Sequence, residues 1–368
     1  MNKATSLTPY QLGNIELKNR IVMAPMTRSR AINNVPNELM AEYYAQRASA
    51  GLIISEGTSP SPNGLGYARI PGIFSVEQIN GWEKVTTAVH EQGGKIFVQL
   101  MHTGRIGHTL NLPVGARMLA PSAIVAHGEM WTDQEGMKTH PTPHAMTVEE
   151  IAETKREFVQ AAKNAIHAGF DGVELHAANG YLLEQFLSAH TNQRTDSYGG
   201  NIENRSRFVL EVAQEVSDVI GKDKTAIRLS PFGNFNDIQH DLENTEALYG
   251  HLAEELNKIG IAYVHITDQT AGSKPDVKNL VRTLIRNKFN NTLILSGGYT
   301  LESAEEAISG DLGDLVSFGR PFLSNPDLVT RFHKNLPLNI KLDASTLYSA
   351  DAKGYTDYPA FEKELISA

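Results

Sequence analysis

The sequence of 368 residues contains no cysteine. That absence excludes disulfide bonds, thiolate nucleophiles, iron-sulfur clusters and cysteine-ligated zinc sites. Any chemistry must therefore come from oxygen and nitrogen groups or from a bound cofactor. Hydrophobic residues make up 41% of the chain and charged residues 20%, which is ordinary for a globular protein with a large buried core.

Basic stripes and long apolar runs are also missing from the sequence. The net charge of −9 is spread along the chain, so the electrostatic footprint of a nucleic-acid-binding protein is not there. No run of about 18 apolar residues could span a bilayer. The first residues, MNKATSLTPYQLGN, lack the apolar core of a signal peptide. We therefore expect no nucleic-acid partner, no membrane partner and a cytoplasmic location.

Short β-branched segments recur along the chain. The eight candidate strands are RIVMAP from Arg20, LIISEG from Leu52, KIFVQL from Lys95, GVELH from Gly172, AIRLS from Ala226, AYVHIT from Ala262, LILSGG from Leu293 and LVSFGR from Leu315. Near-continuous apolar strands of this kind are typical of parallel sheets that helices cover. The order predicts an α/β protein with a closed (β/α)8 TIM barrel.

The segments between these strands carry helical patterns. Thr147 and Glu150 have the spacing of a capping box. The side chains that then fall on one helical face are Ile151, Phe158, Val159, Ala162 and Ile166. Further helices are predicted at residues 37–49, 202–219, 245–260, 276–287, 301–309 and 325–333.

The chain is longer than the roughly 250 residues that a plain barrel needs. We place most of the surplus in two segments. Residues 107–146 form a capping excursion after the third strand, rich in proline and histidine and far longer than a usual connection. Residues 337–368 form a C-terminal strap that includes the sequence GYTDYP. Residues 1–368 are thus predicted to be a single domain.

Polar side chains stand where the predicted strands end, which is where barrel enzymes carry their chemistry. His176, Asn179 and Tyr181 follow the fourth strand, and no lysine stands at any strand end, which argues against a Schiff-base aldolase. The seventh and eighth strands end in SGGYT and SFGRP, a glycine-rich pair with an arginine that favours a phosphate site. No GxGxxG motif opens a helix after a strand, so a mononucleotide fits better than a dinucleotide.

Three further strand-end residues are of the kinds that the pyrimidine edge of a flavin would need. These are Thr27, Gln99 and Arg228. Each also has a structural explanation, such as capping a turn for Thr27, satisfying backbone groups for Gln99 or pairing with a carboxylate for Arg228. From the residues alone, a structural role for the His176, Asn179 and Tyr181 trio is about as well supported as a catalytic one.

Longer pieces of the sequence resemble a known family. The pieces RIVMAPMTRSRA, EYYAQRASAGLIISEGT, QLMHTGR, GFDGVELHAANGYLLEQFLS, TNQRTDSYGGNIENRSRF, SFGRPFLSNPDL and GYTDYP are similar to those of the Old Yellow Enzyme family of FMN-dependent ene-reductases, which includes N-ethylmaleimide and xenobiotic reductases. They occur in family order over nearly the whole chain. The resemblance implies noncovalent FMN, reduced by NADPH or NADH and reoxidised by an α,β-unsaturated carbonyl compound, a maleimide, a quinone or a nitro compound.

The resemblance also implies roles for individual residues. His176 and Asn179 would donate hydrogen bonds to the substrate carbonyl oxygen, and Tyr181 would protonate the α carbon. A helical turn after the strand would put the first two on one face. The cofactor shell carried over is Pro25, Thr27, Gly57, Gln99 and Arg228 around the ring system, with Gly298, Gly319 and Arg320 at the phosphate. The substrate pocket carried over is Tyr67, Met101 and Tyr355.

Two departures and two alternatives accompany this prediction. Met101 stands where many relatives carry tryptophan, and Thr27 where others carry a redox-tuning cysteine. One alternative is a metal-dependent barrel hydrolase with His102, His176 and Asp268 as ligands, although our own expectation is no metal. The other is a flavin-binding protein without turnover. A monomer or a homodimer is expected.

Overall fold

The computed structural model of the protein describes residues 4–239, 242–267 and 275–361. Its strands are, in chain order, β1 (Tyr10–Leu12), β2 (Ile15–Leu17), β3 (Ile21–Met23), β4 (Leu52–Thr58), β5 (Ile96–Leu100), β6 (Leu119–Ala120), β7 (Glu129–Thr132), β8 (Gly136–Thr139), β9 (His144–Ala145), β10 (Gly172–Ala177), β11 (Thr225–Leu229), β12 (Tyr263–Thr267), β13 (Thr292–Ser296) and β14 (Leu315–Phe318).

Strands β3, β4, β5 and β10 to β14 close into one barrel in which every neighbouring pair is parallel. Each of these strands lies within or overlaps one of the eight segments predicted from the sequence, so the (β/α)8 prediction is confirmed. The strands are buried along almost their whole length, as expected for a sheet whose outer face is covered by helices.

The helices of the described residues surround this barrel. They are α1 (Glu38–Gln46), α2 (Val76–Glu91), α3 (Val148–His167), α4 (Leu182–Leu187), α5 (Ile202–Ile220), α6 (Leu242–Ile259), α7 (Pro275–Arg286), α8 (Leu301–Ser309), α9 (Arg320–Ser324) and α10 (Leu328–Lys334). The six helices predicted with bounds all begin and end within three residues of the observed bounds.

The sequence pattern does not predict α2, and the residues on the buried face of that helix show why. That face includes Gln78, Gly81 and Thr86 beside Trp82, so apolar residues do not mark the helical period. Gly81 is needed there because a Cβ atom would lie 2.4 Å from the carbonyl oxygen of Pro36. The short helices α4 and α9, each a single turn or little more, were missed as well.

Helix α3 begins with the predicted capping box. The Glu150 amide donates to Thr147 Oγ1 at 3.2 Å, and the Thr147 amide donates to Glu150 Oε2 at 2.8 Å. Of the predicted apolar face, Ile151, Phe158 and Ala162 are buried, whereas Val159 and Ile166 are half-buried, with Val159 packed against the core. The fully buried face follows Ile151, Thr154, Phe158, Ala161, Ala162 and Ala165.

The amino-terminal end of the barrel is closed by a small hairpin of β1 and β2. Leu12 and Leu17 of this hairpin are completely buried and cluster with inward side chains of the barrel strands, such as Phe97 and Tyr263. An apolar plug therefore seals this end. The opposite, carboxyl end of the strands carries the two longest additions.

The capping excursion and the strap lie at that carboxyl end. Within residues 107–146 two small sheets form, the antiparallel hairpin of β7 with β8 and the parallel pair of β6 with β9. The strap is held by buried arginines of the loop after β3: Arg28 donates to the carbonyl of Gly354 at 2.6 Å, and Arg30 to that of Thr346 at 2.7 Å. The part of the strap prediction beyond residue 361 lies outside the described residues.

Candidate active site

A cavity of about 890 Å³ opens at the carboxyl ends of the barrel strands. That volume is near the upper end of the range for small-molecule sites, about 300 to 1,000 Å³. The structure brings together ten of the residues singled out from the sequence. They are Pro25, Thr27, Gly57, Tyr67, Gln99, Met101, His176, Asn179, Tyr181 and Arg228.

The turn after β10 positions three of these side chains. His176 still belongs to the strand, whereas Asn179 has φ of 60°, a left-handed conformation that asparagine tolerates better than most residues. The expectation that this segment turns helically between His176 and Asn179 is therefore wrong. Two hydrogen bonds from the backbone fix the turn instead. The backbone N–H of Asn179 donates to Ser230 Oγ at 2.8 Å, and the backbone N–H of Gly180 donates to Glu184 Oε2 at 2.6 Å.

His176 and Arg228 are neighbours on adjacent strands. Both are buried, and His176 Nδ1 and Arg228 Nε have no hydrogen-bond partner among the described residues. Burial, together with the positive charge of Arg228, holds the pKa of His176 well below its ordinary value, so the ring is neutral. Both side chains also line the cavity, so any polar atom that either one presents there can hydrogen bond to a ligand.

Tyr181 lies at the start of α4 and is 6% exposed. Its hydroxyl is 3.0 Å from that of Tyr67, and the edge of its ring packs against His176 with 4.9 Å between ring centroids. Burial raises the pKa of Tyr181 above its ordinary value, although hydrogen bonds from Tyr67 and Asn236 partly offset this. The phenol therefore carries its proton at neutral pH.

Gly57 and Gln99 face each other across an irregularity in the pairing of β4 with β5. The register shift between Ile54 and Gly57 turns the end of β4 towards the cavity, a common use of bulges beside active sites. A Cβ atom on Gly57 would lie 2.5 Å from Met101 Sδ, so the glycine makes room for the buried methionine.

The candidate phosphate loops adjoin each other at the ends of β13 and β14, where Ser296 pairs with Ser317. Gly298 has φ of 68°, a left-handed conformation that suits glycine. Arg320 is exposed and, among the described residues, has neither a hydrogen-bond partner nor an ion-pair partner. Two adjacent glycine turns, together with a guanidinium that has no other partner among the described residues, are suited to binding a phosphate group.

The assignment of Tyr355 to the substrate pocket needs correction. Tyr355 is fully buried and is not among the residues that line the cavity. Its ring stacks on Tyr43, with centroids 3.9 Å apart and planes 6° apart, and the guanidinium of Arg30 lies 4.7 Å from its centroid. The tyrosine that the strap contributes to the cavity is Tyr348.

Several cavity residues had no signal in the sequence. The hairpin of β7 and β8 contributes Glu129, Met130, Trp131, Asp133 and Met137, the loop after β11 contributes Phe235 and Asn236, and the strap contributes Ser345, Tyr348, Ser349 and Ala350. Trp131, Met137, Phe235 and Tyr348 are each at least half exposed. An excursion rich in proline and histidine indicated a cover, but only the folded chain shows which of its side chains reach the cavity.

Two of the three residues proposed for a metal site, His102 and His176, are described by the structure, and neither belongs to a group of metal ligands among the described residues. In the described part of the chain no three His, Asp or Glu side chains are grouped as metal ligands would be. His102 is buried and accepts a hydrogen bond from the Gly104 amide through Nδ1, and Asp268 lies outside the described residues.

No helix in the described residues is long and apolar enough to cross a membrane.

Comparison with known proteins identifies relatives over the whole chain. A model of the NADH:flavin oxidoreductase / NADH oxidase family matches residues 7–339. The 12-oxophytodienoate reductase 7 of Oryza sativa subsp. japonica is 43% identical over 380 residues, covering 97% of this chain and 95% of that protein. The probable flavin mononucleotide-dependent alkene reductase of Leishmania infantum is 41% identical over 358 residues, covering 96% of each. The solved structure of the Old Yellow Enzyme homologue from Zymomonas mobilis is 42% identical, with a TM-score of 0.92, and the match covers 97% of this chain and 100% of that one.

Proposed function

The chain belongs to the NADH:flavin oxidoreductase / NADH oxidase family, and we propose that His176, Asn179 and Tyr181 are the catalytic residues of its ene-reductase activity. The resemblance to the Old Yellow Enzyme family is confirmed, and FMN-dependent ene-reduction is the function of the protein. The observation that carries our assignment of residues is that His176, Asn179 and Tyr181 line one cavity beside Arg228.

The residues that line the cavity fit the ring system of FMN, and the glycine turns at the ends of β13 and β14, which are not among those lining residues, fit its phosphate. Gln99 and Arg228 would hold the pyrimidine edge, Pro25, Thr27 and Gly57 would lie along the ring system, and the glycine turns with Arg320 would hold the phosphate. When bound, FMN supplies the capacity to accept a hydride from a reduced nicotinamide and to pass it to an electron-poor alkene. The protein must then bind, orient and protonate the alkene.

His176 and Asn179 would bind the carbonyl oxygen of the substrate. Because the imidazole is neutral, it donates one N–H without placing a full charge on the oxygen. One residue separates Asn179 from the end of the strand. Ser230 and Glu184 hold the backbone at Asn179 and Gly180, so the position of Asn179 is set before the substrate binds. A donor placed in this way, in a site from which water is excluded, contributes about 2.7 to 4 kcal/mol to lowering a barrier.

Tyr181 would deliver the proton to the α carbon. Its hydroxyl shares a hydrogen bond with Tyr67. If Tyr67 donates in that pair, the proton of Tyr181 is free to face the cavity. Asn236 donates to the backbone carbonyl of Asn179 at 2.8 Å and so braces the same corner.

The substrates within this proposal are α,β-unsaturated carbonyl compounds, maleimides, quinones and nitro compounds, with NADPH or NADH as reductant. The protein would form one FMN-binding domain over residues 1–368. It would work in the cytoplasm as a monomer or a homodimer, without nucleic-acid or membrane partners.

A phenol tests the carbonyl-binding role, since a phenolate oxygen would take the place of the carbonyl oxygen. We expect para-chlorophenol to give a long-wavelength charge-transfer band with the oxidised holoenzyme. The double variant His176→Ala/Asn179→Ala should raise its dissociation constant about 10²-fold or more, because two hydrogen bonds to a charged oxygen are lost.

The matched control is His140→Ala. His140 lines the same cavity, but its Nδ1 is already engaged with the Gly107 backbone, 2.9 Å from the carbonyl oxygen. Phenol binding to this variant should stay within a few-fold of the parent. If the double variant binds the phenol as tightly as the parent does, the two side chains do not form the oxygen-binding site.

A further inference from the structure

Polar side chains fill the upper layer of the barrel interior, where branched apolar residues usually dominate. At the lower level the inward positions hold Phe97, Ala226 and Tyr263, which belong to the hydrophobic cluster at the amino-terminal end of the barrel. Two residues further along their strands stand Gln99, Arg228 and His265. Gln99 and Arg228 face the cavity. The layer thus forms the floor on which the cofactor would lie.

Glu174 of β10 is the centre of this layer and is completely buried. Its Oε1 accepts a hydrogen bond from Gln99 Nε2 at 2.7 Å, and its Oε2 lies 2.9 Å from His265 Nδ1. His265 Nε2 lies in turn 2.9 Å from Ser317 Oγ. One carboxylate therefore connects side chains of β5, β12 and β14 across the inside of the barrel.

The protonation states make this chain of hydrogen bonds consistent. Burial lowers the pKa of His265, so the ring is neutral. Burial acts to raise the pKa of Glu174, but His265, Arg228 and Gln99 together bring it below its ordinary value, so the carboxylate is charged. His265 then donates from Nδ1 to Glu174 and accepts at Nε2 from the Ser317 hydroxyl.

A charged carboxylate also decides which way the amide of Gln99 faces. A carboxylate only accepts hydrogen bonds, so the Gln99 atom at 2.7 Å must be the NH2 group. The carbonyl oxygen of Gln99 is left for a donor in the cavity. It makes no hydrogen bond to another described residue and is not one of the atoms sealed from the cavity without a partner.

Glu174 is a diagonal neighbour of Arg228, because Glu174 pairs with Ala226 across β10 and β11 and Arg228 lies two residues further along β11, on the same face. Glu174 favours the charged form of Arg228, against burial, which lowers the pKa of the guanidinium. The carboxylate of Glu174 therefore partly offsets the positive charge that Arg228 presents to the cavity.

We propose that Glu174 is a positioning residue for the cofactor, which orients the amide of Gln99, opposes the charge of Arg228 and thereby lowers the reduction potential of bound FMN. This inference rests on the proposed cofactor role of Gln99 and Arg228. Reduction adds negative charge to the flavin. Arg228 would stabilise that charge more strongly if the carboxylate of Glu174 did not oppose it, and the reduction potential would then be higher.

The test is the midpoint potential of the flavin in the purified holoenzyme, measured by dye-coupled reductive titration. Glu174→Gln keeps the shape of the side chain but removes its charge, so the potential should shift to a more positive value. Glu174→Asp keeps the charge and should stay near the parent. The matched control is Glu184→Gln, because Glu184 is also completely buried but bonds to Ser230, Gly180 and Tyr249 instead.

A potential that is unchanged in Glu174→Gln with FMN still bound would overturn the inference, as would an equal shift in Glu184→Gln. Neither result would affect the proposed function, which is tested separately by FMN binding and enone reduction in the parent and by the variants of His176, Asn179 and Tyr181. Should Glu174→Gln fail to fold, the infrared difference spectrum between oxidised and reduced parent enzyme gives a second test. A carboxylate band that moves on reduction and is altered in Glu174→Asp supports the inference, and a spectrum without such a band contradicts it.

Discussion

Individual protonation states decide what the site can do. The phenol of Tyr181 still carries the proton that it would give up, because burial keeps its pKa above the ordinary value of about 10. The imidazole of His176 can donate a hydrogen bond without a net charge because burial and Arg228 keep its pKa well below the usual range. Both groups are therefore in their working forms across the physiological pH range.

We expect the rate of enone reduction by the reduced enzyme to be nearly independent of pH between about 6 and 9. A lowered pKa means that His176 becomes protonated only at acid pH, and a raised pKa means that Tyr181 loses its proton only at alkaline pH. Rapid mixing of reduced enzyme with 2-cyclohexenone across this range provides the measurement. A rate that rises or falls tenfold per pH unit near neutrality would show that one of these groups titrates there.

At the scale of elements, Arg69 ties three segments over the cavity mouth. It pairs with Asp133 of the β7–β8 hairpin, donates to the carbonyl of Tyr348 in the strap at 2.8 Å and to that of Ser29 after β3 at 3.0 Å. Arg69 itself has φ of 56°, which costs energy for a residue other than glycine. These contacts compensate for that cost and hold the rim in place.

Arg69→Ala should therefore loosen the hairpin and the strap over the substrate. We expect the KM for 2-cyclohexenone to rise about threefold to tenfold, because an ion pair and two hydrogen bonds are lost. The flavin content should not change. Lys138→Ala is the control, since Lys138 pairs with Glu135 on the same hairpin, has no other ion-pair partner among the described residues and does not line the cavity. Equal KM values in both variants would show that Arg69 does not organise the mouth.

Elements could be predicted from the sequence where one physical signal was strong. The barrel strands are short, largely apolar runs, and the capping box of Thr147 and Glu150 marks the start of α3. Helix α2 could not be found because its buried face mixes Gln78 and Thr86 with apolar residues. Strand-end residues such as His176 and Arg228 follow from topology alone. The places of Tyr348 and Trp131 in the cavity could not be predicted, because long-range packing decides which side chains of the strap and of the hairpin face inward.

For the whole molecule, cofactor binding and folding are linked. FMN that binds only the folded protein stabilises it by about 2.7 kcal/mol at one hundred times the dissociation constant. Part of that affinity should come from the phosphate, through Arg320 and the glycine turns beside it. Riboflavin, which has no phosphate, should raise the melting temperature of the apoprotein less than FMN does.

Arg320→Ala should remove most of this difference between FMN and riboflavin. The melting temperature with riboflavin should match that of the parent, because the ring site is intact. Thermal denaturation of apoprotein with each ligand provides the comparison. Arg117→Ala is the control, since it removes an exposed guanidinium from the capping excursion that pairs with Glu150. An undiminished advantage of FMN in Arg320→Ala would place the phosphate elsewhere.

The central claim is that this site reduces activated alkenes with Tyr181 as the proton donor. Tyr181→Phe keeps the ring packed against His176 but removes the hydroxyl. Rapid mixing should show flavin reduction by NADPH or NADH at close to the parental rate, since that step takes no proton from this side chain. Reoxidation by 2-cyclohexenone should slow by about 10² to 10⁴, and reoxidation by a quinone much less. A variant slowed equally in both half-reactions, or in neither, would contradict the account.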